Sequence, residues 1–78
     1  MTLKMPPILS GKQVIKLLEG LGFQKVGQRG SHVKMRAVLY QKRRTAIVPL
    51  HKELAPGTLA SILKQAGLTI TELLKPKR

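Results

Sequence analysis

Ser31-His32-Val33-Lys34-Met35-Arg36-Ala37-Val38-Leu39-Tyr40 is the stretch that decides the fold. Val33, Met35, Ala37 and Leu39 fall on one side of an extended chain, and His32, Lys34 and Arg36 fall on the other. A period of two held over this length predicts a half-buried strand with one apolar and one basic face. The flanking residues keep the same period, so strands are expected at roughly Phe23–Gln28 and Thr45–Leu50. Arg29-Gly30 reads as a tight first connection, and Gln41 to Arg44 as a basic second one. The register of the first strand stays open, because Phe23 and Val26 point to opposite sides of it.

Outward from these strands the period becomes helical. Val14, Leu18 and Leu21 repeat at i, i+4, i+7, flanked by Ile15 and Leu17. Ser10 stands where its hydroxyl caps the first turn, with Gln13 in the capping-box position and Gly20 and Gly22 as the stop. On the other side, Pro56 suits a first helical turn, Leu59, Ile62, Leu63 and Ala66 supply an apolar stripe, and Gly67 closes it. Thr69 with Glu72 makes a second capping box for a short helix that packs Leu73 and Leu74. The expected order is therefore α-β-β-β-α with a last helical turn. It folds most simply as an α+β domain, a three-stranded antiparallel sheet with the helices on its apolar face. Residues 1–9, with their Pro-Pro pair, read as a flexible leader, 10–75 as a single domain, and 76–78 as a basic tail.

Fifteen Lys and Arg against three acids give 78 residues a net charge of +12. Self-repulsion on that scale opposes compact folding, and it points to a polyphosphate such as nucleic acid, or to an acidic protein. The absence of cysteine excludes disulfides, thiolate zinc sites and thiol nucleophiles. Two aromatic residues, Phe23 and Tyr40, are too few for rows of stacked bases. Glu19, Glu53 and Glu72 lie in separate elements, which disfavours paired-carboxylate catalysis, and two histidines fall short of the three ligands a catalytic metal wants. No cofactor is implied. The longest apolar run, Ala46 to Leu50, is short and contains proline, so no membrane span or export signal is expected and a cytoplasmic location follows.

The chemistry left open is histidine plus cations acting on phosphate. A neutral imidazole accepts a proton near neutral pH. RNA carries its own nucleophile in the 2′-hydroxyl, so a base, an acid for the leaving oxygen and cations for the developing charge suffice. His32 follows the Arg29-Gly30-Ser31 connection, and Lys34 and Arg36 stand on the same face at steps of about 7 Å. Each residue also has a plainer reading. A strand-end histidine is often a solvated residue, lysine and arginine on an open face keep a protein soluble, and Lys42-Arg43-Arg44 is either a solvated turn or a phosphate clamp. His51, after Pro49-Leu50, is either a loop residue capping the second helix or a second titratable group at the substrate. On residues alone, an endoribonuclease, a non-catalytic module that reads A-form RNA by shape and phosphate contacts, and a surface for an acidic protein all remain.

Three stretches resemble the HicA toxins of prokaryotic HicA–HicB toxin–antitoxin systems. They are Ser10-Gly11-Lys12 leading to Leu21-Gly22-Phe23, then Gln28-Arg29-Gly30-Ser31-His32, then Val48-Pro49-Leu50-His51 running into Pro56-Gly57-Thr58-Leu59 and Ile62 to Leu68. The resemblance covers nearly the whole chain and implies an mRNA interferase with a double-stranded-RNA-binding-domain-like fold. It maps the family's catalytic histidine onto His32, within an unbroken Gly30-Ser31-His32. It also implies a HicB-type antitoxin, acidic on the face it presents, that covers this site in a hetero-oligomer. It assigns no role to His51, Lys34 or Arg36, which stand on spacing alone.

Overall fold

The computed structural model describes residues 8–75. Ser10 caps α1 (Gly11–Gly20) through the expected reciprocal pair, with the Gln13 amide donating to Ser10 Oγ at 3.1 Å and the Ser10 amide to Gln13 Oε1 at 2.8 Å. The helix ends in a Schellman arrangement, where the Phe23 amide reaches back to the Leu18 carbonyl at 3.0 Å and Gly22 takes φ +101°. That turn drops Phe23 into the core at the head of the sheet.

The sheet runs β1 (Gln24–Arg29), β2 (His32–Leu39), β3 (Lys42–Pro49), all antiparallel and in sequence order. As the alternation predicts, Val33, Met35 and Ala37 are buried and Leu39 is half-buried, while His32, Lys34 and Val38 are exposed. α2 (Pro56–Ala66) and α1 both pack on β3 across the apolar face, and α3 (Ile70–Leu74) packs on α1. Val14 and Leu18 of α1, Leu59, Ile62 and Ala66 of α2 and Leu73 of α3 close the core. Among the described residues no polar or charged side chain is buried. Leu74 is the exception to the expected packing of α3: a five-residue helix turns one leucine inward and leaves the next exposed.

The structure settles the register left open in the first strand and corrects both expected connections. Val26 forms a β-bulge, with the pairing shifting between Lys25 and Gly27, and this settles the open register of the first strand. Both hairpin loops have two residues. The first is Gly30-Ser31, with positive φ at Gly30 only (+57°), the pattern of a type II′ turn. The second is Tyr40-Gln41, with φ of 52° and 64°, the pattern of a type I′ turn built without glycine or asparagine. Lys42, Arg43 and Arg44 therefore belong to β3 and not to a basic connection. At the termini, Ile8 is exposed, whereas Leu9 packs against the core and its carbonyl accepts the Leu54 amide at 2.8 Å. The leader expected at 1–9 therefore does not extend to Leu9; its residues 1–7, and the tail expected at 76–78, lie outside the described residues.

Candidate functional site on the basic face of the sheet

Cross-strand register determines which cations share a face. On the open face, Arg29 stands opposite His32, Gly27 opposite Lys34, and Gln24 opposite Arg36. On the β3 side, Pro49 faces His32, Ile47 faces Lys34, Thr45 faces Arg36 and Arg43 faces Val38. The bulge at Val26 is what brings Arg29 here. Without the extra residue, strict alternation from the buried Phe23 would turn Arg29 to the helix side.

A groove of about 500 Å³ opens at this end of the face, lined by Val26, Gly27, Gln28, Arg29, His32, Lys34 and Ile47. His32 and Arg29, as directly paired residues, have Cβ atoms about 5 Å apart, and Lys34 lies about 7 Å along the strand. Behind the groove the loop that carries His32 is braced. Lys25 Nζ donates to Gln28 Oε1 at 2.6 Å, and Gln28 Nε2 donates to the Gly30 carbonyl at 3.0 Å. The Leu50 amide donates to the Ser31 carbonyl at 2.7 Å, tying the loop to the end of β3. Farther along, Arg36 Nε donates to Thr45 Oγ1 of β3 at 3.3 Å. All three carboxylates lie away from the strands: Glu19 in α1, Glu53 in the loop before α2, and Glu72 within the α3 cap. The charged side chains of the open face are therefore all cationic at neutral pH, apart from the histidine.

The expected site residues divide accordingly. Arg29, Gly30, Ser31, His32, Lys34 and Arg36 come together along one stripe, and Arg43 extends it at the far end. Lys42 and Arg44 pair with Leu39 and Ala37 and so belong to the helix side. Arg44 lies against Gly67 at the end of α2, where an added Cβ would meet its Cζ at 2.8 Å. A three-residue clamp is thus not formed, because successive residues of a strand face opposite ways. His51 does not cap α2, whose N-cap Ala55 makes no side-chain bond; its carbonyl instead accepts the Gly11 amide of α1 at 2.9 Å. Sequence reasoning missed Val26, Gly27 and Ile47. A glycine inside a strand pattern is a bulge signal, and Ile47 sits between two core residues, Ala46 and Val48, so both were readable. Among the described residues no three His, Asp or Glu side chains cluster as metal ligands, and no helix is long and apolar enough to cross a membrane.

Fold and site together define a small, strongly basic α+β domain that carries a histidine and its neighbouring cations on a sheet face that no described helix covers. The family model of the HicA toxin of bacterial toxin–antitoxin systems matches residues 11–68, from the first residue of α1 to two residues past the end of α2. The chain belongs to the HicA toxin family. No curated protein and no solved structure matches it significantly.

Proposed function

We propose that this toxin is a metal-independent endoribonuclease that cleaves mRNA with His32 as its general acid–base group. One observation carries the reading: an imidazole and the two cations Arg29 and Lys34 line a single open groove on a face without a carboxylate. His32 takes the proton of a 2′-hydroxyl. The 2′-oxygen then bonds to the adjacent phosphorus to give a 2′,3′-cyclic phosphate, the bond to the 5′-oxygen breaks, and the His32 imidazolium returns its proton, through a water molecule, to that leaving oxygen. Arg29 and Lys34 stabilise the charge that builds on the phosphoryl oxygens. Gly30 adds no side chain to the loop before the histidine, and nothing lies within 4 Å of where its Cβ would be, so the backbone can approach a phosphate closely. Arg36 and Arg43 extend the phosphate track along the sheet.

The test is cleavage of a long mRNA in EDTA by wild type and His32→Ala side by side. Cleavage by wild type alone, with the variant still folded and still binding RNA, is the expected result. Equal cleavage by both would refute the role of His32 and turn attention to His51. RNA binding without cleavage by either protein would favour the non-catalytic RNA-binding module, which the same exposed basic stripe supports. In a toxin–antitoxin pair the neutralising partner has to silence this face. A HicB-type antitoxin with an acidic surface would do so by competing with mRNA in the cytoplasm, and simultaneous binding of both would contradict that.

A further inference from the structure

We infer that Tyr40, at the tip of the β2–β3 hairpin, is a stacking platform for a base of the bound RNA, a second anchor remote from the His32 groove. The inference rests on the reading of RNA as the partner of the basic face. Tyr40 is the only tyrosine of a chain without tryptophan. It is 81% exposed, whereas Phe23, the other aromatic residue, is 2% exposed. It therefore contributes little to the core.

The backbone makes its presence harder to explain by folding alone. Tyr40 and Gln41 both occupy the left-handed region, which disfavours side chains with a Cβ and which Asn-Gly would occupy readily. A bulky aromatic is thus kept, uncovered, at a position where local stability asks for something else. Strain of this kind points to a use for the side chain.

Its surroundings say what the partner is. The stripe His32, Lys34, Arg36 runs along β2 straight towards the tip, with Arg43 across from Val38. Val38 itself is 69% exposed on the same face, so the cationic track ends in an apolar patch. A charged track ending in an exposed ring matches a nucleic-acid strand, whose backbone is anionic and whose bases present flat apolar faces. From His32 to Tyr40 the strand spans about 25 Å, so one RNA strand following the track would meet both ends. A single platform is also consistent with a chain too poor in aromatics for a row of them.

The lone tyrosine is its own reporter. Titration with a 2′-O-methyl dodecanucleotide, which lacks the 2′-hydroxyl proton and is not cleaved, should quench tyrosine fluorescence in step with binding followed by anisotropy of labelled RNA. Free N-acetyltyrosinamide corrects for absorption by RNA. The double variant Tyr40→Asn, Gln41→Gly should raise the melting temperature by relieving the turn, yet weaken RNA binding about tenfold. Tyr40→Phe should retain wild-type affinity. Saturating RNA without quenching, or unchanged affinity in the double variant, would overturn the inference. So would a double variant that keeps its RNA affinity but loses an acidic antitoxin, since the tip would then be a protein contact. Because cleavage is assayed separately on ordinary mRNA, quenching without cleavage refutes only the nuclease reading, and cleavage without quenching refutes only this one.

Discussion

Replacing Gly11 with alanine should destabilise this protein out of proportion to the single methyl group added. Gly11 opens α1 where the helix meets the end of β3, and its amide donates to the His51 carbonyl at 2.9 Å. A Cβ there would lie 2.0 Å from the Pro49 oxygen, 2.9 Å from the Pro49 carbonyl carbon and 3.0 Å from Leu50 Cα. Carbon contacts are comfortable at about 3.5–4 Å, so the start of α1 has to withdraw by more than 1 Å. Each obstructing atom is backbone, and no rotamer change relieves the clash. Overpacking of this kind costs about 1–3 kcal/mol, and loss of the hydrogen bond to His51 costs about 1 kcal/mol more. The better helix propensity of alanine offsets about 1 kcal/mol. A net loss of about 2 kcal/mol is a large part of the stability of so small a domain, and it corresponds to a fall in melting temperature of about 8–16 °C. Thermal unfolding followed by circular dichroism measures it. Gly57→Ala is the control, since it lies in the first turn of α2 with nothing within 4 Å of its Cβ, and should change stability little or raise it slightly. A Gly11→Ala protein melting within about 2 °C of wild type would refute the close-approach reasoning. The effect should also reach the site, because Pro49 is the β3 partner of His32 and the Leu50 amide holds the Ser31 carbonyl.

Other expectations follow from the same contacts. Leu18→Ala removes a fully buried side chain at the α1 end of the core and should cost about 2–5 kcal/mol in urea denaturation; a loss below 1 kcal/mol would mean that the site collapses around the gap. Gln65 Oε1 accepts the Ile47 amide at 3.1 Å, covering part of the exposed edge of β3, so Gln65→Ala should speed hydrogen exchange at Ile47 and cost about 1 kcal/mol. Unchanged protection of that amide would show that Gln65 does not guard the edge. If Lys34 contacts an RNA phosphate, Lys34→Ala should make the slope of log K against log salt shallower by about 0.7–0.9, and an unaltered slope would exclude the contact.

Much of this architecture was legible because its causes are local. Ser10 with Gln13 and Thr69 with Glu72 form their capping boxes from residues three apart, and Gly22 and Gly67 end their helices where only a left-handed residue fits comfortably. The alternation from His32 to Leu39 announced both the core and the basic face, since a strand turns successive side chains to opposite sides whatever it pairs with. The site was legible to the same extent: His32, Lys34 and Arg36 share a strand, so their shared face needs no partner to define it.

Arg29 and the Lys42-Arg43-Arg44 run show where local reasoning ends. Whether Arg29 joins His32 depends on an extra residue at Val26, and a bulge exists only relative to the strand it fails to match. The second turn fell at Tyr40-Gln41, against the preference of either residue for ordinary backbone, because the apolar pairs Val33 with Val48 and Met35 with Ala46 set the register of β2 against β3. That register divided the three cations between the two faces. The sequence by itself therefore determined the elements, their caps, the apolar and basic faces and the histidine on its strand. Only the tertiary structure decided which cations stand beside that histidine, because pairing register is a property of two strands and is set by the core they bury together.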